Sequence, residues 1–322
     1  VSELFPDGAE RLRKWRHIHT ESVGPGRILS LRRTGPWLFE GEESFPALGG
    51  MKQSVRIADF AEFGRGLVID GQVQLAESID PLYTNALVFP SALMASSRNE
   101  WLIVGGGDGA AAREALRFSD TESVELVDIS RMVIDRTQEL IPSFWQDAQH
   151  DGRLRIECRD AWQVLTERAS AGRRVNIILF DLTDPENEEF TPRSESSSDH
   201  LYSTAAFDLA ARCLRPGGVF AAQVQELSLL RWKDHCRLRN LLRQSFRYVW
   251  SYRVQVEFFG YWESFLIASN DDSPPEPVPC GPIEPLLSRL YKGGSPEWST
   301  EWHRSLFGLP PALVRALGNQ EF

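Results

Sequence analysis

Five aspartates stand where apolar runs stop: Asp108, Asp128, Asp160, Asp181 and Asp184. Asp108 lies within the stretch Trp101 to Gly109 (WLIVGGGDG), and AAAREALRF follows it. A short apolar run, three glycines, an acid, a fourth glycine and then strong helix formers read as buried strand, tight turn and helix start. Glycine serves where φ is positive or where a ligand must approach the backbone. Amides exposed at the helix N-terminus would face that ligand. A tight turn with no ligand fits the same residues. The acid inside the turn argues against a phosphate, because two anions repel in a partly dry site. Asp108 therefore points to a ligand that brings a cation to this turn.

The other acids follow the same logic. SVELVDI (123–129) ends at Asp128 and Ile129, and Asp128 lies about twenty residues beyond the glycine turn, where an acid accepts hydrogen bonds from ribose hydroxyls in nucleotide-binding sheets. Capping of the next helix is the competing reading. RLRIECRDAW (153–162) ends in Asp160-Ala161, placed to accept from an exocyclic adenine amine or to cap a helix. VNIILFDLTDP (175–185) is apolar until Asp181, with Asp184 three residues on. Ligands sit at strand C-terminal edges in open α/β sheets, so Asp181 and Asp108 should face one crevice.

The elements that must hold these acids alternate as strand and helix. RMVIDRTQEL, FDLAARCLRPGG and RWKDHCRLRNLLRQSF read as helices and VFAAQVQ as a fifth strand, with YVWSYRVQVEFF and WESFLIAS as a closing antiparallel pair. This predicts a doubly wound α/β sheet. Ahead of it, SVRIADF alternates, EFGRG turns, and GLVIDGQVQL reads as strand, Asp-Gly turn and strand, so residues 27–78 form a small antiparallel β domain. Asp80 and Pro81 begin a helix leading into the glycine-rich strand. Ala9 to Thr20 reads as a short basic helix, broken by Gly24, Pro25 and Gly26. Glu40, Glu42 and Glu43 beside Trp37 and Phe39 read as an acidic surface loop, or as a lid for an amine. The stretch 273–285 is rich in proline and reads as a linker or arm, with a short helix or two behind it. The expected division is 1–95, 96–272 and 273–322.

At 322 residues there is room for a proper core, and 42% hydrophobic with 25% charged residues is ordinary globular composition. No apolar run is long enough to cross a bilayer and no secretory h-region is present, so no membrane association and a cytoplasmic location are expected. Cys158, Cys213, Cys236 and Cys280 lack zinc spacing and read as reduced, mostly buried thiols. A net charge of −10 disfavours nucleic acid and suits a cationic ligand.

GLVIDGQVQLAES, LIVGGGDGAAARE, VELVDIS, CRDA and FDLTDP, in this order and spacing, resemble the polyamine aminopropyltransferases, the spermidine and spermine synthases. The resemblance spans roughly residues 50–268, and the glycine-Asp turn with the D-x-x-D-P strand end is more specific than either alone. LAESIDPLYT is closer to the spermine branch, and FDLTDP is similar to thermospermine-type enzymes. The resemblance implies a Rossmann-like fold of the S-adenosylmethionine-dependent transferase type and a homodimer. It implies transfer of a 3-aminopropyl group from decarboxylated S-adenosylmethionine to an amine or polyamine, releasing methylthioadenosine, without a metal.

Residue by residue, the resemblance puts Gln53 and Gln74 around cofactor and amine, and Tyr83 along the amine groove. Asp108 would hold the aminopropyl ammonium, Asp128 the ribose and Asp160 the adenine amine. Asp181 would bind the attacking amine and help deprotonate it. Gly105, Gly106, Gly107 and Gly109, with Ile129 and Ala161, would surround the cofactor. Asp184 would join the amine site, Glu263 would anchor a distal nitrogen, and Trp262 would wall the groove or pack in the core. Tyr83-Thr84-Asn85 departs from the family's usual Tyr-His-Glu, and the long loop after Asp184 carries Glu186, Glu188 and Glu189, either solvated or extending the amine site. Two alternatives remain: a transferase or cyclase using intact S-adenosylmethionine, and a catalytically silent nucleoside-binding relative.

Overall fold

Polar and apolar residues alternate through Met51–Phe60, and that alternation builds a small antiparallel sheet with one buried face. The computed structural model describes residues 18–24, 27–185, 199–272, 276–293 and 298–318. Its strands in chain order are β1 (Ile18–Gly24), β2 (Arg27–Arg32), β3 (Phe39–Phe45), β4 (Met51–Phe60), β5 (Gly64–Ile69), β6 (Gln72–Ala76), β7 (Glu100–Gly105), β8 (Ser123–Asp128), β9 (Leu154–Cys158), β10 (Val175–Asp181), β11 (Leu214–Glu226), β12 (Tyr248–Val256) and β13 (Tyr261–Ser269). The α-helices are α1 (Asp80–Met94), α2 (Ala110–Leu116), α3 (Arg131–Leu140), α4 (Pro142–Trp145), α5 (Ala161–Ser170), α6 (Thr204–Arg212), α7 (Lys233–Leu242), α8 (Glu284–Leu290), α9 (Thr300–Phe307) and α10 (Pro311–Ala316).

β1 and β2 pair as an antiparallel hairpin, and β3 to β6 form a four-stranded sheet in sequence order. Gln53, Val55 and Ile57 share the inner face of β4, which is how a polar glutamine comes to be buried. The Asp70-Gly71 turn carries positive φ at both residues (49° and 80°), as a two-residue hairpin requires. Two expectations fail here. Ile18 to Thr20 belong to β1, so no helix runs through to Thr20, while Arg11, Arg13, Lys14 and Arg16 lie outside the described residues. Glu40, Glu42 and Glu43 lie in the edge strand β3 and not in a loop. Glu40 and Glu42 pair with Arg56 and Lys52 of β4, a charged dressing that suits an edge strand.

The large sheet has seven strands in the order β12-β13-β11-β10-β7-β8-β9. β7 to β11 run parallel, and β13 and β12 close the edge antiparallel. The chain leaves β7 towards β8 on one side and returns to β10 on the other. β7 and β10 are therefore the neighbours at which the winding reverses. Register sets Phe180 against Val104 and Asp181 against Gly105, so the glycine turn and Asp181 end at the same height. One apolar core joins the two sheets: Phe60 of β4 meets Phe258 edge-on at 5.1 Å, and Tyr252 of β12 donates to the Ala86 carbonyl of α1.

The C-terminal stretch is not a free arm. Three short helices follow, and Trp298 stacks on Phe89 of α1 at 5.1 Å while Phe307 packs on Tyr252. Of the cysteines only Cys213 is fully buried, and Cys280 is exposed. Among the described residues no helix is long and apolar enough to cross a membrane.

Behind the glycine turn, Arg113 of α2 is buried and grips both carboxylate oxygens of Asp80, at 2.7 and 3.0 Å, while donating to the Ser143 and Phe144 carbonyls. This clamp fixes the start of α1 against α2. Replacing Arg113 with Met strands the Asp80 carboxylate and is expected to cost about 3–5 kcal/mol in urea unfolding, with much of it regained in Arg113→Met/Asp80→Leu. Equal losses in the single and double variants would show that burial of an unpaired charge is not the cause.

Candidate functional site

The crevice opens at the C-terminal ends of β7, β8 and β10, with the small sheet above it. Its walls include Gln53 and Gln74 from the small sheet, Tyr83 from α1, Gly105 to Asp108, Asp128 and Ile129, Asp160 and Ala161, and Asp181. It encloses about 760 Å³, its mouth included, a size typical of small-molecule sites.

Gly105 sits at φ 77°, and a side chain there would place its Cβ 2.1 Å from the Asp181 carbonyl oxygen. That oxygen accepts from the Gly106 amide at 2.7 Å, which locks the turn onto β10. At Gly107 a Cβ would lie 2.6 Å from the Asp128 carboxylate, which instead accepts from the Gly107 amide at 2.9 Å and from the Ser130 amide at 2.7 Å. Gly109 begins α2 with its α-carbon against Trp145 and is not among the residues lining the crevice. The turn is thus held by backbone amides and carries its acids into the opening.

Asp108 accepts from the Ala110 amide at 2.8 Å. Burial first, and then the charge of Asp181, push its carboxyl well above the usual range. Burial raises Asp181 to about 6; Asp128 and Asp80 add to this, while a 2.9 Å hydrogen bond from the Tyr83 hydroxyl works against it. Tyr83 is pinned between Phe259 and Phe265, and burial next to Asp181 keeps its phenol protonated. Burial also raises Asp128. These acids face each other without an ion-pair partner among the described residues, so the crevice favours a cationic occupant.

Asp160 caps α5 by accepting from the Trp162 amide, so the capping interaction is present. It also lines the crevice and meets His200 at 3.1 Å. Burial raises its carboxyl, but His200 and the Trp162 amide outweigh that and leave it below the ordinary value. Both contacts use Oδ1, which leaves Oδ2 free to accept from a ligand.

Asp184 and Glu263 stand beyond Tyr83. The Gln223 amide nitrogen donates to both carboxylates, and the Tyr202 hydroxyl donates to the Gln223 backbone carbonyl. Burial, then Asp184, raises Glu263 well above the usual range. Tyr83 feels Asp181 and Glu263 together, so the two acid groups belong to one polar stripe. Trp262 points away: it is 37% exposed and its ring lies 4.1 Å beneath Arg253. It neither packs in the core nor lines the crevice. Glu186, Glu188 and Glu189 lie outside the described residues. His200, Gln223 and Tyr202 were not singled out from sequence. Their only signal is an aromatic and a histidine just before a helix. Glu43 is no lid; it accepts from the Ser130 hydroxyl at 2.6 Å and the Met132 amide, tying β3 to the start of α3.

The spermine/spermidine synthase domain description matches residues 81–275, more than half of the chain. The chain belongs to the spermine/spermidine synthase family. It is 30% identical over 280 residues to a polyamine aminopropyltransferase of Aeropyrum pernix, covering 87% of this chain and 83% of that protein. A polyamine aminopropyltransferase of Prochlorococcus marinus is 29% identical over 266 residues, 81% of this chain and 86% of its own. The crystal structure of spermidine synthase from Thermotoga maritima superposes with a TM-score of 0.78 at 19% identity, covering 94% of both chains. A spermidine synthase complex with the transition-state analogue AdoDATO gives the same TM-score at 18% identity. The fold is that of the family, a Rossmann-like sheet behind a small antiparallel one.

Asp181 carries a pH signature. The native protein takes up its proton near pH 6, whereas the unfolded chain does so near 3.8. A raised carboxyl contributes stability that is full below the unfolded value and is lost as pH rises through the folded one. Urea unfolding should therefore show stability falling between about pH 4 and 6, with a shallower fall in Asp181→Asn. Identical pH slopes in the two proteins would rule this assignment out.

Proposed function

We propose that the chain moves a 3-aminopropyl group from decarboxylated S-adenosylmethionine to an amine of the polyamine class and releases methylthioadenosine. Membership of the synthase family supports aminopropyl transfer. The observation that carries the finer reading is Asp108 and Asp181 side by side in one crevice, with Asp128 and Asp160 along the same sheet edge.

In this reading Asp128 takes the ribose hydroxyls and the free oxygen of Asp160 takes the adenine amine. Asp108 holds the ammonium of the aminopropyl group. An intact methionine carboxylate would meet that acid, which is the physical reason to prefer the decarboxylated donor. Asp181 orients the acceptor nitrogen, fixed in turn by Tyr83. The nitrogen lone pair forms the new bond to the carbon next to sulfur. The carbon–sulfur bond breaks, its electron pair neutralises the sulfonium, and the nitrogen proton passes to Asp181. A carboxyl near 6 is mostly ionised at neutral pH yet basic enough to take that proton. Alignment of nitrogen, carbon and sulfur supplies much of the remainder. Asp184 and Glu263 are assigned to a more distant nitrogen of the acceptor, because two carboxylates sharing one amide donor gain most from a cation between them.

The test is turnover followed by mass spectrometry, with decarboxylated or intact S-adenosylmethionine and a panel of putrescine, spermidine, agmatine and cadaverine. Methylthioadenosine and an amine heavier by one aminopropyl unit are expected with the decarboxylated donor only. Asp181→Asn should lose about 10²–10⁴-fold in turnover while methylthioadenosine still binds. Consumption of intact S-adenosylmethionine alone would refute the role given to Asp108.

A further inference from the structure

The opposite end of the same strands is built from the opposite charge. At the N-terminal edge of the large sheet, roughly 16 Å along β7 from the glycine turn, a hollow of about 1530 Å³, its open side included, lies between the starts of β7, β8 and β10. Arg153, Arg155, Arg168, Arg173, Arg174 and Arg215 line it, in a chain whose net charge is −10. They come from the end of α5, the β9 entry, the β10 entry and the start of β11, so no single helix face or charge run explains the grouping.

The acids present do not account for all six. Arg153 pairs with Asp151, Arg155 with Glu157, and Arg215 with Glu100. Arg168 has one long contact to Glu125, at 3.4 Å. Arg173 and Arg174 are exposed and have no carboxylate partner among the described residues. Arg168 is only 8% exposed, and its Nε is buried with no hydrogen-bond partner. A cation at a helix C-terminus answers the helix dipole, which explains why an arginine ends α5. It does not explain a buried donor left unpaired beside two free guanidiniums, since such donors are normally satisfied.

We propose that this hollow binds a small polyanion through its phosphate groups, with Arg173 and Arg174 supplying the charge and Arg168 Nε a buried donor. Guanidinium forks match phosphate oxygens in pairs, and arginine sheds water more readily than lysine. Exposed arginines at the rim also make the binding sensitive to salt. The site lies at the far edge of the sheet from the crevice, so it does not depend on the proposed aminopropyl chemistry.

Calorimetric titration of the full chain at low ionic strength tests this, with inorganic tripolyphosphate in one arm and CTP in the other. CTP is used because its base is not the adenine that the crevice is proposed to hold. Saturable binding of tripolyphosphate is expected, weakened at least about tenfold in Arg173→Ala/Arg174→Ala and again by physiological salt. Aminopropyl turnover should be unchanged in that variant, which shows that it folds. Arg247→Ala, at another exposed arginine, should bind as the parent does. Equal affinity for both probes supports recognition of phosphate alone, and tighter CTP binding supports a nucleotide at the same arginines. Absence of saturable binding of either probe, undiminished binding by the double variant, or an equal loss in Arg247→Ala would overturn the proposal.

Discussion

Asp108, Asp128 and Asp181 are carried to one edge of a sheet by strands that are otherwise wholly apolar, and they arrive there without a cation. Raising Asp181 from 3.8 to about 6 amounts to about 3 kcal/mol against its charged form. Neutral donors hold this arrangement together: the Gly107, Ala110 and Ser130 amides and the Tyr83 hydroxyl. The buried guanidinium nearby, Arg113, is turned away to Asp80. Had it faced the crevice, the acids would be satisfied and a cationic substrate would have nothing to gain. Keeping Arg113 on the far side of the turn preserves the unmet charge that binding can relieve.

How much of this could be read in the sequence follows from how local each cause is. Gln53 was legible because period-two alternation in β4 puts it on the face shared by Val55 and Ile57. The glycine turn and the acids ending β8 and β10 were legible because each is a sharp change of residue type at a strand end. Glu40, Glu42 and Glu43 misread as a loop because their partners, Arg56, Lys52 and Ser130, are fixed only by strand pairing and helix docking. Trp262 misread for a similar reason. One residue along β13 reverses the face, and the closing pair's register is disturbed between Gln223 and Glu226 of β11.

The bulge responsible for that disturbance also explains why Gln223 was invisible. Gln225 adopts φ 64°, an unusual value for a side-chain-bearing residue, and sends its own amide to the Pro185 carbonyl. The break lets β11 place Gln223 between Asp184 and Glu263 while Glu226 turns to Arg27 and Arg231. A strand of regular alternation could not serve both. The bulge thus separates an unmet acid pair from a paired one three residues away, a distinction that composition does not carry.

The same strands that gather acids at one end gather arginines at the other, and the two ends obey one rule. Buried strands such as Val175–Asp181 present no side-chain charge along their length, so polar residues collect where the apolar run begins and ends. At the C-terminal end the turns are short and glycine-rich, which brings carboxylates within reach of each other and of backbone amides. At the N-terminal end the strands are entered from helix C-termini, where arginine is favoured by the dipole. Net charge at each end is therefore set by the connections rather than by the sheet. An acid-lined crevice for a cation and a guanidinium-lined hollow for an anion can then be carried by one sheet without mutual neutralisation, because an apolar layer of strand length lies between them.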